Sequence, residues 1–179
     1  MATSSRESQW VLRAQCDDRE ALECVLRSIQ PSLHRYLCGL VGTSSASDVL
    51  QEVLITLCRK LTALHEPELF RRWAYRVASR LAFRHLKRTK RRQEEVLDEA
   101  TLESMQAPES APPAALLNEL LNMDAISPAS RAVLMLHFQQ DLPLADVAAI
   151  LEIPLGTAKS RLAYGLAALC KHLDPKRSV

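Results

Sequence analysis

The chain has 179 residues, 47% of them hydrophobic and 25% charged, with a formal net charge of +2. This is the composition of a water-facing globular protein with room for one domain or two small ones. No apolar run approaches the roughly 20 residues a membrane span needs, and the opening "MATSSRESQW" has no apolar signal core, so secretion is not expected.

Cys16, Cys24, Cys38, Cys58 and Cys170 form no CxxC pair. That points to a reducing cytosol and away from a disulfide frame or a zinc knuckle. Only four glycines are present, which favours helices over strands. In "DREALECVLRSI" the residues Ala21, Leu22, Val25, Leu26 and Ile29 recur at helical spacing. Pro31 is expected to interrupt, with a helix resuming in "SLHRYLCGLV" through Leu33, Leu37, Leu40 and Val41. "GTSSAS" reads as a loop that supplies an N-cap serine. "DVLQEVLITLCRKL" then sets Leu50, Val53, Leu54, Leu57 and Leu61 on one face and leaves Asp48, Gln51, Glu52, Arg59 and Lys60 off it. "HEPE", holding Pro67, is a short break.

The next segment, "RRWAYRVASRLAFRHLKRTKRR" at 71–92, carries ten Lys or Arg and no acid. The spacing predicts one helix of about 20 residues with two faces. Phe70, Trp73, Val77 and Leu81 make an apolar seam, beside which Arg72, Arg76, Arg80, Arg84 and Arg88 recur every four residues. None of these cations has an acidic partner within the segment, so i,i+4 pairing does not account for the row. A polyanion does, and nucleic acid is the favoured one; a solvated face or an acidic protein partner is the alternative. Trp73 belongs to the core seam, while Tyr75 and Phe83 stay open between core packing and base stacking.

Residues 93–130 reverse the charge, with eight acidic side chains and no Lys or Arg. Residues 93–113 lack periodicity, include Pro108, Pro112 and Pro113, and read as a flexible acidic linker. It divides the chain into units 1–92 and 114–179. In the second unit, "SPASRAVLMLHF" offers Ser127 as N-cap and Pro128 at the first helical position, with Val133, Leu134 and Leu136 to Phe138 as its apolar face. "PLADVAAILEIPLGTAKSRLAYGLAALCKHL" has the form of a helix-turn-helix. Its first helix carries Val147, Ala148 and Leu151, the turn is Glu152-Ile153-Pro154, and Gly156-Thr157 open the second helix. Small Ala148 and Ala158 allow the two helices to cross closely. Thr157, Lys159, Ser160 and Arg161 stand where a recognition helix meets base edges and phosphates. The fold class expected is all-α: two small helical domains joined by the linker, the second a helix-turn-helix.

Together the halves resemble bacterial sigma factors of the extracytoplasmic-function group. "ASDVLQEVLITLCRKL…FRRWAYRVASRLAFRHLKRTKRR" is similar to their second region, and "SPASRAVLMLHFQQDLPLADVAAILEIPLGTAKSRL" to their fourth. The resemblance covers about residues 10–173. It implies a transcription initiation factor that binds core RNA polymerase and directs it to promoters. Asp48, Gln51 and Glu52 would dock on the β′ clamp helices of the polymerase, whose β flap is a further implied contact. The basic helix, through Arg72, Arg76, Arg80, Arg84, Lys87, Arg88 and Arg91, would hold the −10 element. Thr157, Lys159, Ser160 and Arg161 would meet the −35 element, and the acidic linker would enter the nucleic-acid channel. An anti-sigma partner is implied, and with it a cytoplasmic protein that such a partner can hold at the inner membrane. Among the departures from the pattern, Arg80 and Arg84 stand where the family usually has Asn and Asp, and Glu152 replaces the turn glycine.

A stand-alone helix-turn-helix regulator is the alternative, and it needs neither the "DVLQE" surface nor the acidic linker. An enzyme is not expected, because no paired carboxylates or His cluster could hold a metal. His34, His65, His85, His137 and His172 are scattered, and the Cys170/His172 pair is a weak metal signal. No cofactor, metal or small-molecule substrate is expected.

Overall fold

The computed structural model describes residues 2–97 and 126–173, and among these it holds seven α-helices and no strand. They are α1 (Ala2–Gln15), α2 (Arg19–Val41), α3 (Thr43–Lys60), α4 (Phe70–Leu97), α5 (Pro128–Leu134), α6 (Leu144–Leu151) and α7 (Leu155–Leu173). Short 3-10 turns at Leu61–Ala63 and Pro67–Leu69 join α3 to α4, and a π turn, Met135–Gln139, continues α5. No described helix is long and apolar enough to cross a membrane.

Helix α1 is absent from the expectation drawn from periodicity, because its buried face is partly polar. Glu7 is buried, and its carboxylate accepts from Arg71 Nε at 2.8 Å and from Ser28 Oγ at 2.9 Å. Those two partners satisfy an acid that burial would otherwise penalise. At the other end, Gln15 Nε2 donates to the carbonyls of Leu61 and Leu64, at 2.9 and 2.7 Å, tying α1 to the α3–α4 connection.

Helix α2 starts where Asp18 accepts from the Ala21 backbone N–H at 3.0 Å. That bond, with the Arg13 guanidinium, holds the Asp18 carboxyl below its usual range. Pro31 does not interrupt: α2 runs through it as one 23-residue helix. The proline is exposed, and Ala21, Val25, Ile29, Leu33, Leu37 and Leu40 bury a continuous stripe on either side of it. An interior proline costs about 3 kcal/mol, and burying several such apolar side chains at about 1.5–3 kcal/mol each outweighs it. The expected serine cap is also replaced. Gly42, at φ 83°, both closes α2 and opens α3 with no side-chain cap, so helix begins at Thr43 where a loop was expected. That φ is open to glycine and costly for other residues.

Helix α4 is longer than expected, and its first five linker-assigned residues, 93–97, remain helical. The rest of the 93–113 segment lies outside the described residues. The buried seam is shifted from the expected one. Phe70, Ala74, Tyr75, Ala78, Leu81 and Ala82 are buried, while Trp73 and Val77 are only half-buried against the core. The alanines are deepest because α4 lies against α2 and α3, where only small side chains fit a close approach. Tyr75 is therefore core: it meets Tyr36 edge-on at 5.4 Å, and the Tyr36 hydroxyl pairs with Ser79 Oγ at 2.7 Å. Burial pushes both phenols above their ordinary range.

In the second unit Ser127 caps α5 by accepting from Ser130 N at 3.2 Å, with Pro128 at the first helical position. Val133, Leu134, Met135 and Leu136 are buried, whereas Phe138 lies outside the core. Helices α6 and α7 form the helix-turn-helix, with Ala148 and Ala158 buried between them. The halves are packed on one another and share one apolar cluster. Gly39 of α2 lies so close to Met135 that a Cβ there would sit 2.3 Å from Met135 Cε. Arg131 Nη1 donates to the Gly39 carbonyl at 3.3 Å, and the Tyr75 hydroxyl donates to Gln140 Oε1 at 2.5 Å.

Candidate nucleic-acid interface

Helical periodicity puts Arg72, Arg76, Arg80, Arg84, Lys87, Arg88 and Arg91 along the side of α4 away from the buried alanines. All are exposed except Arg76, which is half-buried. The first three meet the helix-turn-helix unit in order. Arg72 Nη2 lies 2.6 Å from Asp146 Oδ2, Arg76 Nη2 donates to the Ala149 carbonyl at 3.3 Å, and Arg80 reaches Glu152. The last contact is bidentate, Nε to Oε2 at 3.1 Å and Nη2 to Oε1 at 2.5 Å. It holds the exposed Glu152 carboxyl below the usual carboxylate range. Arg84 pairs with Glu52 of α3. The row that lacks acidic partners in its own segment thus finds three of them elsewhere in the chain, at positions 52, 146 and 152. Lys87, Arg88 and Arg91 continue the strip beyond these contacts.

The turn of the helix-turn-helix is built around Glu152, at φ 55° and ψ 44°. Its own N–H and that of Ile153 both return to the Ala148 carbonyl, the latter at 3.0 Å, which closes α6. A non-glycine residue is strained in this left-handed region. At the start of α7, Lys159 and Ser160 are exposed and Thr157 and Arg161 are half-buried. Ser160 Oγ donates to the Gly156 carbonyl at 3.0 Å, so in this state its hydroxyl proton is spent within its own helix. Further along α7, Tyr164 and Leu166 are exposed.

Asp48, Gln51 and Glu52 are exposed on one side of α3, while Val49, Leu50, Val53 and Leu57 point into the core. Arg27, Gln30, Pro31, His34 and Leu54 line an open groove beside Gln51. Among the described residues no group of three His, Cys, Asp or Glu is placed to hold a metal. Sequence reasoning missed Asp146 and Glu152 as partners of the strip. The one available signal was Glu152 itself, an acid at a turn position suited to glycine.

Comparison with known proteins bears on both halves. The family model for Sigma-70 region 2 matches residues 25–92, and that for Sigma-70, region 4 matches residues 123–171. The RNA polymerase sigma-H factor of Pseudomonas aeruginosa is 26% identical over 190 residues, covering 98% of this chain and 97% of its own. Among solved structures, CnrH in complex with the cytosolic domain of CnrY superposes with a TM-score of 0.68 at 14% identity, over 96% of this chain and 99% of that one. The sigma factor RpoE from Bartonella quintana, in complex with the anti-sigma factor NepR, gives 0.67 at 22% identity, over 87% and 98%. A stand-alone helix-turn-helix regulator would account for the second match and not the first. The chain belongs to the sigma-70 family and is a promoter-recognising RNA polymerase sigma factor.

Proposed function

We propose that the chain is a non-catalytic, cytoplasmic initiation subunit whose working surfaces are divided among three helices. Unit 1–92 docks on the β′ clamp helices of core RNA polymerase through Asp48, Gln51 and Glu52 of α3. It holds the −10 element along the α4 row, Arg72, Arg76, Arg80, Arg84, Lys87, Arg88 and Arg91. Unit 114–179 presents the N-terminal end of α7, Thr157, Lys159, Ser160 and Arg161, to the −35 major groove and meets the β flap. The acidic segment 93–113 connects them through the polymerase's nucleic-acid channel. The observation that carries this reading is the division of exposed faces: a compact polar patch off the core on α3, and a cationic row on the adjoining helix α4. An anti-sigma protein is the proposed regulatory partner, supported by the NepR complex of the Bartonella relative. CnrH is bound by the cytosolic domain of CnrY, and a comparable partner would hold this chain at the inner membrane.

The test is reconstitution. Purified chain is added to core polymerase, complex formation is followed by co-elution, and run-off transcription is measured on promoters selected from genomic fragments. Promoter-dependent transcripts that need both components are expected. Absence of co-elution with active core polymerase overturns the docking assignment.

A further inference from the structure

We infer that α1 is a brace for promoter reading and that Gln15 and Glu7 are its positioning residues: they hold the start of α4, and with it the register of the cationic row on a DNA backbone. The two side chains grip the α3–α4 connection from opposite ends. Gln15 Nε2 donates to the carbonyls of Leu61 and Leu64 at 2.9 and 2.7 Å, where the connection leaves α3. Glu7 accepts from Arg71 Nε at 2.8 Å, in the first turn of α4. Between these ties α1 packs on the second 3-10 turn, Pro67–Leu69.

The connection has little local structure to fix it. Leu64 and Glu66 are extended, and Thr62, Ala63, His65, Glu66 and Glu68 are exposed. Its backbone bonds from Leu64 N to Leu61 O, at 3.1 Å, and from Leu69 N to Glu66 O, at 3.0 Å, each close a single turn. One glutamine amide has two N–H donors, and Gln15 spends them on carbonyls 46 and 49 positions away. At the other end Arg71 is set apart from the row. Its guanidinium turns to Glu7, whose side chain is only 8% accessible, and Ser28 Oγ donates to the same carboxylate at 2.9 Å. A buried acid stripped of its cation is costly, so Arg71 stays with α1 and Arg72 begins the row.

Cations on phosphates set the register of a protein on DNA and carry no base information themselves. That register is only as exact as the placement of the helix that bears them. Ala74, Ala78 and Ala82 let α4 lie close against α2 and α3. Such small, smooth faces fix the distance between helices, whereas hydrogen bonds of set length and direction fix position along the axis. The ties to α1 act one residue before Arg72, so a shift there carries through every later contact of the row.

This inference rests on the assignment of α4 to the −10 element, and the experiment separates the two. Holoenzyme is assembled from core polymerase with the wild-type chain, with Gln15→Leu, which keeps the bulk of the side chain and removes both donors, and with Glu7→Gln, which keeps its shape and removes its charge. All readings are taken well below the melting temperature of each chain. They are amide exchange of the free chain over 61–72, its affinity for a fluorescein-labelled thymidine oligonucleotide, and the ratio of run-off transcription from a cognate promoter to that from single-base −10 variants. Each variant is expected to exchange faster over 61–72 and to lower the ratio about threefold to tenfold, the worth of about one net hydrogen bond. Oligonucleotide affinity should stay near wild type, because the row keeps its charge. A folded Gln15→Leu chain with the wild-type ratio overturns the inference. A loss of oligonucleotide affinity as large as the loss in ratio also overturns it, since that marks a merely structural role. A wild-type holoenzyme without preference among the −10 variants overturns the assignment of α4 itself, and the brace with it.

Discussion

Arg80 and Glu152 lie 72 positions apart and share two hydrogen bonds, Nε to Oε2 at 3.1 Å and Nη2 to Oε1 at 2.5 Å. With Arg84, they are among the positions that depart from the pattern the sequence resembles, and they carry opposite charge. The two departures are partners. The residue that holds the turn at a positive φ is the one whose carboxylate grips the cation.

This pair gives the contact between α4 and the helix-turn-helix a pH dependence whose sign follows from Glu152. Its carboxyl is held below the ordinary range by the hydrogen bonds from Arg80. A depressed native pKa stabilises the paired state above the ordinary carboxylate pKa, and the contribution is lost as pH falls through the native value. The radius of gyration of the full chain is expected to be constant from about pH 8 to about pH 5 and to rise below that, near and under the ordinary glutamate range. Glu152→Gln should remove part of that rise, and an identical acid profile in the variant would exclude Glu152 from it.

The docking patch is tested by Gln51→Ala with Glu52→Ala. Both side chains are exposed, so helicity should be unchanged. Affinity for core polymerase is expected to fall about tenfold, the cost of a little over 1 kcal/mol that one well-placed interface residue carries. The double variant also frees Arg84 from Glu52, so Arg84→Ala is the control: it should leave polymerase affinity near wild type. Co-purification of the double variant at wild-type yield under competition would refute the assignment.

Sequence reading by α7 is expected to divide between two neighbours. Arg161 is the candidate for a bidentate grip on guanine, and Lys159 for a phosphate contact. Arg161→Ala should cost about 1–3 kcal/mol at the cognate −35 site and relax preference at one or two base pairs, whereas Lys159→Ala should weaken all sites alike. Holoenzyme binding to a panel of single-base promoter variants measures both. A uniform loss from Arg161→Ala makes that residue a phosphate contact.

Two glycines of α7 should respond to alanine with opposite signs. A Cβ on Gly156 meets nothing within 4 Å, so Gly156→Ala is expected to stabilise by about 0.5–1 kcal/mol through helix propensity. A Cβ on Gly165 would stand 2.7 Å from Leu134 Cδ1 and 3.1 Å from its Cγ. Crowding of that kind costs about 1–3 kcal/mol and exceeds the propensity gain, so Gly165→Ala should lower the melting temperature. Thermal denaturation of the two variants beside the wild type decides the matter.

Much of the molecule was determined by the sequence alone, wherever the decisive physics is local. Heptad-like spacing of Leu50, Val53, Leu54 and Leu57 specified α3 and left Asp48, Gln51 and Glu52 on its outer face. Ser127-Pro128 specified the start of α5, and Ala148 and Ala158 of the helix-turn-helix are both buried, as their small size suggested. The all-α fold class and the two regions of the family follow from such patterns. Tertiary structure decided the rest, because the competing terms come from distant residues. Pro31 stays within α2 because a long apolar stripe outweighs one lost backbone bond. Helix α1 is held by a buried Glu7 whose partners, Ser28 and Arg71, lie 21 and 64 positions away. Tyr75 is core rather than a stacking platform, since it lies against Tyr36 of α2. The basic row, without an acidic neighbour in its own segment, is met by Glu52, Asp146 and Glu152. Periodicity reports which face of a helix is apolar; it carries no record of which charge will be folded against the other face.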